Sequence, residues 1–192
     1  MRIIAGQAGG RRLAAPPEGT RPTTDRVREA LFSSLDTHVR DNFGGWSEIR
    51  FLDLFAGSGA VGLEAMSRGA AEATLVERDR RCLEVLRRNV AVIDARARVV
   101  AADATRWHPE GGPYDVVYVD PPYALADDDV RGVLADLVAH GALAEGALAI
   151  VERSVRSQEP WPSSGWEELR KRDYGDTALW YGRVSRSAVE EA

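Results

Sequence analysis

From about residue 50 onward, short unbroken apolar runs alternate with stretches in which apolar residues recur every three or four positions. Runs at 50–54, 73–77, 98–101, 115–119 and 147–151 predict strands, the fourth β-branched enough to be buried on both faces. Helices are predicted over 60–68, after Asp79 with Leu83, Leu86, Val90 and Ile93 on one side, and around Val130, Val133, Leu134, Leu137 and Val138. Asp79 is placed to cap the second of them. Residues 167–174 and 177–183 bracket Gly175-Asp176, which reads as a hairpin with a tight turn. Repeated strand–helix units predict an α/β fold: a Rossmann-like, doubly wound, mostly parallel sheet ending in an antiparallel hairpin.

Before residue 50 the pattern differs. Residues 2–6 and 11–15 flank Ala8-Gly9-Gly10 and predict a short hairpin. A proline-rich connector runs from Pro16 to Pro22, after which Thr23 or Thr24 can cap a helix with Val27, Ala30, Leu31 and Leu35 on one face. Gly44 and Gly45 close this stretch. The expected organisation is an N-terminal hairpin-and-helix extension over 1–45, a main domain over 46–184 and a frayed tail over 185–192.

Composition narrows the class. The 192 residues are 44% apolar and 29% charged, as in ordinary globular proteins. No apolar run is long enough for a bilayer and no signal peptide is evident, so a cytoplasmic protein without membrane partners is expected. Cys82 is the single cysteine, which excludes an intramolecular disulfide and a cysteine-clustered zinc site. It falls on the apolar helix face and reads as packing. His38, His108 and His140 share no ligand spacing, and no metal is expected.

Net charge is −5, which argues mildly against a large nucleic-acid surface, but the charge is unevenly spread. Residues 1–30 hold Arg2, Arg11, Arg12, Arg21, Arg26 and Arg28 against Glu18, Asp25 and Glu29, net +3, leaving −8 for the remainder. Such an arm is either a solvated face or a grip on phosphates, which guanidinium forks suit.

Two loops carry candidate chemistry. The first strand runs into Asp53-Leu54-Phe55-Ala56-Gly57-Ser58-Gly59-Ala60-Val61-Gly62, at the strand end where doubly wound sheets bind ligands. Gly57, Gly59 and Gly62 formally match a dinucleotide-binding fingerprint, so a nicotinamide-dependent oxidoreductase is one reading. Glu77 serves a ribose of either cofactor. Asp53 in the turn suits an ammonium better than a pyrophosphate, and Asp103 can accept from an adenine amino group, which favours S-adenosylmethionine.

The fourth strand runs into Asp120-Pro121-Pro122-Tyr123. Two prolines fix φ and remove two donors, leaving a stiff loop rich in acceptors. A dehydrogenase has no need of it, whereas a planar exocyclic base amine does. Acceptors gripping its hydrogens favour a pyramidal nitrogen and aim its lone pair at an electrophile. Tyr123 offers a face for an extruded base.

With these residues the chain resembles class I S-adenosylmethionine-dependent methyltransferases, through Asp53 to Gly59, and amino methylases, through Asp120-Pro121-Pro122-Tyr123. Arg2-Ile3-Ile4-Ala5-Gly6, Gly9-Gly10-Arg11-Arg12-Leu13 and Arg21-Pro22-Thr23-Thr24-Asp25-Arg26-Val27-Arg28-Glu29-Ala30-Leu31-Phe32 resemble the bacterial RsmD-type family. Tyr174-Gly175-Asp176-Thr177 is similar to that family's closing hairpin. The family methylates N2 of a guanine in small-subunit ribosomal RNA.

The resemblance implies that Asp53, Phe55, Gly57 and Gly59 hold the methionine end of the cofactor. Glu77 would hold the ribose, Asp103 and Ala104 the adenine, Arg78 would also bind the cofactor, and Thr24 would line the pocket. It implies that Asp120, Pro121, Pro122 and Tyr123 are catalytic. Arg2, Arg11, Arg12, Arg21, Arg26 and Arg28 would contact ribosomal RNA, within a small-subunit assembly particle, in a monomeric enzyme. The tetrapeptide itself does not separate guanine N2 from adenine N6, nor RNA from DNA. A non-catalytic RNA-binding module is the remaining reading.

Overall fold

A computed structural model describes residues 1–15, 25–109 and 111–185, with the side chain of residue 168 left aside. The chain forms two compact units, Met1–Ala101 and a second from Ala102 on.

The first unit holds α1 (Asp25–Phe43), a 3₁₀ turn (Trp46–Glu48), β1 (Arg50–Leu54), α2 (Ala60–Arg68), β2 (Glu72–Glu77), α3 (Arg80–Ile93) and β3 (Ala97–Ala101). Its strands are parallel in the order β3-β2-β1, with Leu52 opposite Thr74 and Thr74 opposite Arg98. Phe51, Leu52, Ala73, Leu75 and Val76 are all fully buried. Central strands covered on both faces need such continuous apolar runs. Glycines frame α2: Gly59 and Gly69 both take left-handed φ, +80° and +106°. Asp79 caps α3 through its carboxylate, which accepts from the amides of Arg81 and Cys82, and Cys82 lies in the core.

The N-terminal hairpin expected over 2–6 and 11–15 is present but shorter: Arg2 and Arg12 form an antiparallel bridge, flanked by backbone bonds from Ile3 to Arg11, Leu13 to Met1 and Gly10 to Ile3. The reason is competition for backbone donors. Ile4 and Ala5 donate to the buried Glu64 carboxylate at 2.7 and 3.0 Å, while Gln7 and Ala8 donate to the carbonyl and hydroxyl oxygens of Ser67. Donors satisfied by α2 are lost to a cross-strand ladder. At Gly6, φ +81°, a Cβ would lie 1.9 Å from the Ser67 carbonyl oxygen, so only glycine fits this approach.

The second unit holds β4 (Tyr114–Val119), α4 (Asp127–Ala139), β5 (Leu143–Ser154), β6 (Trp166–Tyr174) and β7 (Thr177–Val184). β4 and β5 are parallel, β7 runs antiparallel to β5, and β6 pairs with β7 around the Gly175-Asp176 turn. The anticipated finish, parallel strands followed by an antiparallel hairpin, is present. β5 is longer than its apolar run predicts. It begins at Leu143, paired with Tyr114, and passes through Gly146 (φ +70°) where the register shifts.

No helix among the described residues is long and apolar enough to cross a membrane. Thr23 and Thr24, the expected cap of α1, and the tail beyond Ser185 lie outside the described residues.

Candidate functional site

Each unit carries one chemically distinctive strand end. In the first, β1 delivers Asp53 with 2% exposure, its Oδ2 accepting from the Gly62 amide at 2.9 Å. A Cβ at Gly62 would meet Leu75 at 2.0 Å and Asp53 Oδ2 at 3.1 Å, so this glycine clears room for the carboxyl. Burial raises the Asp53 pKa to about 7; the Gly62 N–H opposes the rise, and the charge of Glu77 adds to it.

The turn after β1 places three residues in the left-handed region: Phe55 (φ +63°), Gly57 (+57°) and Gly59 (+80°). For Phe55 that conformation is strained, and such strain persists only where surrounding contacts enforce it. Here the Ala56 amide donates to the Val76 carbonyl at 2.9 Å, and the Gly59 amide to Ala56 at 2.7 Å. A Cβ at Gly59 would strike Leu86 at 2.3 Å, but one at Gly57 would meet nothing within 4 Å. Gly57 is therefore not required by packing. Its backbone borders open space.

Glu77, at the end of β2, accepts from the Gly57 amide (2.8 Å) and from the amides of Arg78 and Asp79 (2.7 Å each). Three of roughly four acceptor positions on a carboxylate are thus filled. The glycine turn and the β2 end are one bonded unit. Arg78 is exposed.

Asn89 was not among the expected site residues. Fully buried on α3, it donates to the carbonyls of Ser58 (2.9 Å) and Ala14 (3.1 Å), and accepts from the Ala14 amide (2.8 Å). An asparagine three residues from Leu86 and four from Ile93 on an apolar face was the available signal.

In the second unit, Asp120 follows β4 half-buried, Pro121 is buried, Pro122 is exposed and the Tyr123 ring is 57% exposed. The Leu125 amide donates to the Pro122 carbonyl at 2.9 Å, closing a turn directly behind the prolines. Asp103 accepts on Oδ1 from both the amide (3.0 Å) and hydroxyl (2.8 Å) of Thr105, so one of its oxygens shapes its own turn; Ala104 is buried.

The residue that fixes the Asp120 loop is Arg153, which the sequence reading missed. Six per cent exposed, at the end of β5, it donates through Nη2 to the Leu125 carbonyl (2.9 Å) and Asp127 Oδ1 (2.7 Å), and through Nη1 to the Pro122 carbonyl (3.4 Å). Desolvation works against the Asp127 carboxylate, but the Gln158 amide and the Arg153 guanidinium outweigh it and hold its pKa below the ordinary 3.8. The lowered value means stability present at neutral pH and lost as pH falls through the folded-state value. Arg153→Met is expected to cost about 3 kcal/mol in urea unfolding, the lower end for breaking a buried pair, because the Asp127 side chain keeps 23% exposure. An unchanged unfolding midpoint would remove Arg153 from this role. Beside it, the Tyr118 hydroxyl donates to the buried Glu152 carboxylate.

Of the arm residues, Arg2, Arg11, Arg12 and Arg26 are exposed. Arg28 is not: at 0% exposure it donates to the Arg2 carbonyl (2.7 Å) and Asp25 (2.8 Å). That burial corrects the expected surface contact, since Arg28 braces the N-terminus against α1 instead. Arg21 and Thr24 lie outside the described residues.

The family model described as conserved hypothetical protein 95 matches residues 1–183. Ribosomal RNA small subunit methyltransferase D of Escherichia coli K12 is 42% identical, covering 100% of this chain and 93% of the relative. Among solved structures, a candidate methyltransferase of Escherichia coli superposes with a TM-score of 0.79 at 40% identity, covering 96% of this chain and 98% of that one. A hypothetical protein of Thermus thermophilus gives 0.76 at 34% identity, with 96% and 99% covered.

Proposed function

Because the chain belongs to the conserved hypothetical protein 95 family, with ribosomal RNA small subunit methyltransferase D among its relatives, we propose that it methylates the N2 amine of a guanine in small-subunit ribosomal RNA. The observation that carries methyl transfer to a base amine is the stapled Asp120-Pro121-Pro122-Tyr123 loop at the end of β4, while the choice of guanine in small-subunit ribosomal RNA rests on the family relationship. The methyl donor is S-adenosylmethionine, which supplies an electrophilic sulfonium methyl when bound.

The residues present fit that cofactor. Open space over Gly57 admits a ligand against the backbone, and a buried carboxyl at Asp53 awaits a cationic partner. Asp53, Phe55, Gly57 and Gly59 would hold its amino-acid end, Glu77 its ribose, and Asp103 and Ala104 its adenine, and Arg78 would also bind it. Thr24, outside the described residues, would line the same pocket.

Asp120 and the Pro121 carbonyl accept the hydrogens of the target amine and turn its lone pair outward. As the methyl carbon bonds to nitrogen its bond to sulfur would break and a neutral thioether would leave; the nitrogen becomes a cation and sheds a proton to water, so Asp120 acts as an orienting acceptor and needs little basicity. Tyr123 stacks on the base, an interaction on the order of 1–3 kcal/mol. Arg2, Arg11, Arg12 and Arg26 would contact phosphates, and so would Arg21, which lies outside the described residues. For a chain of net charge −5, RNA already carrying basic proteins is the more favourable partner, which favours an assembling small subunit as substrate; the enzyme would act on it as a monomer in the cytoplasm.

The test is methylation of small-subunit ribosomal RNA from a strain lacking this gene, followed by mass spectrometry of the nucleosides. N2-methylguanosine is expected. A methyl group on adenine N6 would replace the guanine reading with its rival, and no product with S-adenosylmethionine would end both.

A further inference from the structure

The charge of α3 lies on one side. Cys82, Leu83, Leu86, Asn89 and Ile93 are buried, while Arg80, Arg81, Glu84, Arg87 and Arg88 are exposed. At about 100° per residue, these five fall within an arc of roughly 120°. Arg78, Arg96 and Arg98, all exposed, flank the helix. Residues 78–98 thus hold seven arginines against Asp79, Glu84 and Asp94, net +4 in a chain of net −5.

Helix stability does not explain this placement. Arg80 and Arg81 occupy the first turn of α3, the positive end of the helix dipole, where acidic residues are favoured. Intrahelical pairing does not explain it either. Glu84 is three or four positions from all four helical arginines, yet no hydrogen bond or ion pair joins it to any of them among the described residues. Arg80, Arg87 and Arg88 likewise have no such partner among the described residues. Asp79, the cap, accepts from the Arg81 and Cys82 amides and pairs loosely with the Arg81 guanidinium at 3.7 Å, the one such partner in the arc among the described residues.

The arc continues onto the N-terminal arm. Arg11 donates through Nη1 to the Val92 carbonyl at 2.6 Å, near the C-terminal end of α3, and Asn89 holds Ala14 to the same helix. Arg11 therefore extends the basic surface of the helix. Arg80/Arg81 and Arg87/Arg88 form two rows seven residues apart, about 10 Å along the axis.

Building on the proposed activity, we propose that the exposed arc of α3, with Arg11, is the docking face for the phosphate backbone of the ribosomal RNA. Guanidinium forks suit phosphate oxygens, and the displaced counterions make the contact salt-dependent. The face contributes affinity and orientation, while base choice belongs to the Asp120 loop.

The test compares wild-type protein with Arg87→Gln/Arg88→Gln and with Glu84→Gln in binding small-subunit ribosomal RNA between about 50 and 200 mM salt. Affinity for S-adenosylmethionine is measured alongside. The double variant should bind RNA on the order of tenfold more weakly, with a log–log salt slope shallower by about 2, and keep its cofactor affinity. Glu84→Gln, which removes the acid inside the arc, should bind RNA more tightly, and it tests the face even if the double variant folds poorly. If wild type methylates this RNA while both variants keep its affinity and slope, the docking face is wrong and the activity stands. If wild type neither binds nor methylates the RNA, the activity reading falls and takes this surface with it. Loss of binding to an acidic protein, with RNA binding unchanged, would also overturn the proposal.

Discussion

Asp120→Ala is expected to lower the rate of methyl transfer by on the order of 10²–10³-fold while the dissociation constant for S-adenosylmethionine stays near that of wild type. The size follows from what removing one preorganised hydrogen-bonding group from a transition state costs elsewhere. Preorganisation here has a visible source. Pro121 and Pro122 lock φ, the Leu125 amide closes the turn behind them, and Arg153 pins the Pro122 and Leu125 carbonyls from β5. An acceptor on so stiff a loop does not need to reorganise as charge grows on the amine. Asp120→Asn separates geometry from charge: it keeps one acceptor oxygen, and its loss should be intermediate. Single-turnover rates with saturating cofactor are the measurement, and a near-normal rate for Asp120→Ala would contradict the assigned role.

Cofactor affinity is expected to weaken roughly tenfold between pH 7.5 and pH 6, and Asp53→Asn to abolish that dependence. With a folded-state pKa of about 7, the Asp53 carboxyl is largely protonated at pH 6 in the ligand-free chain. A cationic amino group beside it favours the ionised form, so binding below pH 7 must expel a proton, at about tenfold in affinity per pH unit. At pH 7.5 Asp53→Asn should bind on the order of 10²-fold more weakly, the consequence of truncating one side of a buried charge pair. The free protein behaves oppositely. Between about pH 4 and 7 the folded chain holds a proton that the unfolded chain, with an ordinary value of 3.8, has released. Its stability therefore falls as pH rises across that window and levels off above it. Titration calorimetry at the two pH values checks the first effect, and equal affinities would show that Asp53 meets no cation.

The elements readable from the sequence were those whose limits are set locally. Helix α2 begins and ends where expected because Gly59 and Gly69 turn the chain at both ends. The β6–β7 hairpin follows from Gly175-Asp176 between two alternating stretches. What escaped depends on partners far along the chain. The N-terminal hairpin stops beyond Ile3, where the amides of Ile4, Ala5 and Ala8 turn to Glu64 and Ser67, about sixty positions away. Arg28 looked like surface charge, although its spacing to Leu31, Phe32, Leu35 and Val39 puts it on the buried face of α1. Arg153 reads as the charged end of an apolar run, and only the extension of β5 through Ser154 brings it under the Asp120 loop. Asp53 and Glu77 were found as acids at strand ends, but nothing local told that Glu77 is already bonded to the Gly57 amide.

The clasp between the N-terminal residues and α2 bears on how this protein can be exchanged for parts of its relatives. Glu64 is fully buried and takes the amides of Ile4 and Ala5 as well as the Arg68 guanidinium; Ser67 takes Ala8 and donates to Ala5. Deleting the first eight residues leaves a carboxylate and a hydroxyl in the core without those amides, a cost carried by the glycine-turn helix itself. A graft of another protein's N-terminal arm therefore has to bring its own residues 64 and 67 and a glycine at position 6. In any such exchange, arm and helix have to move as a single module.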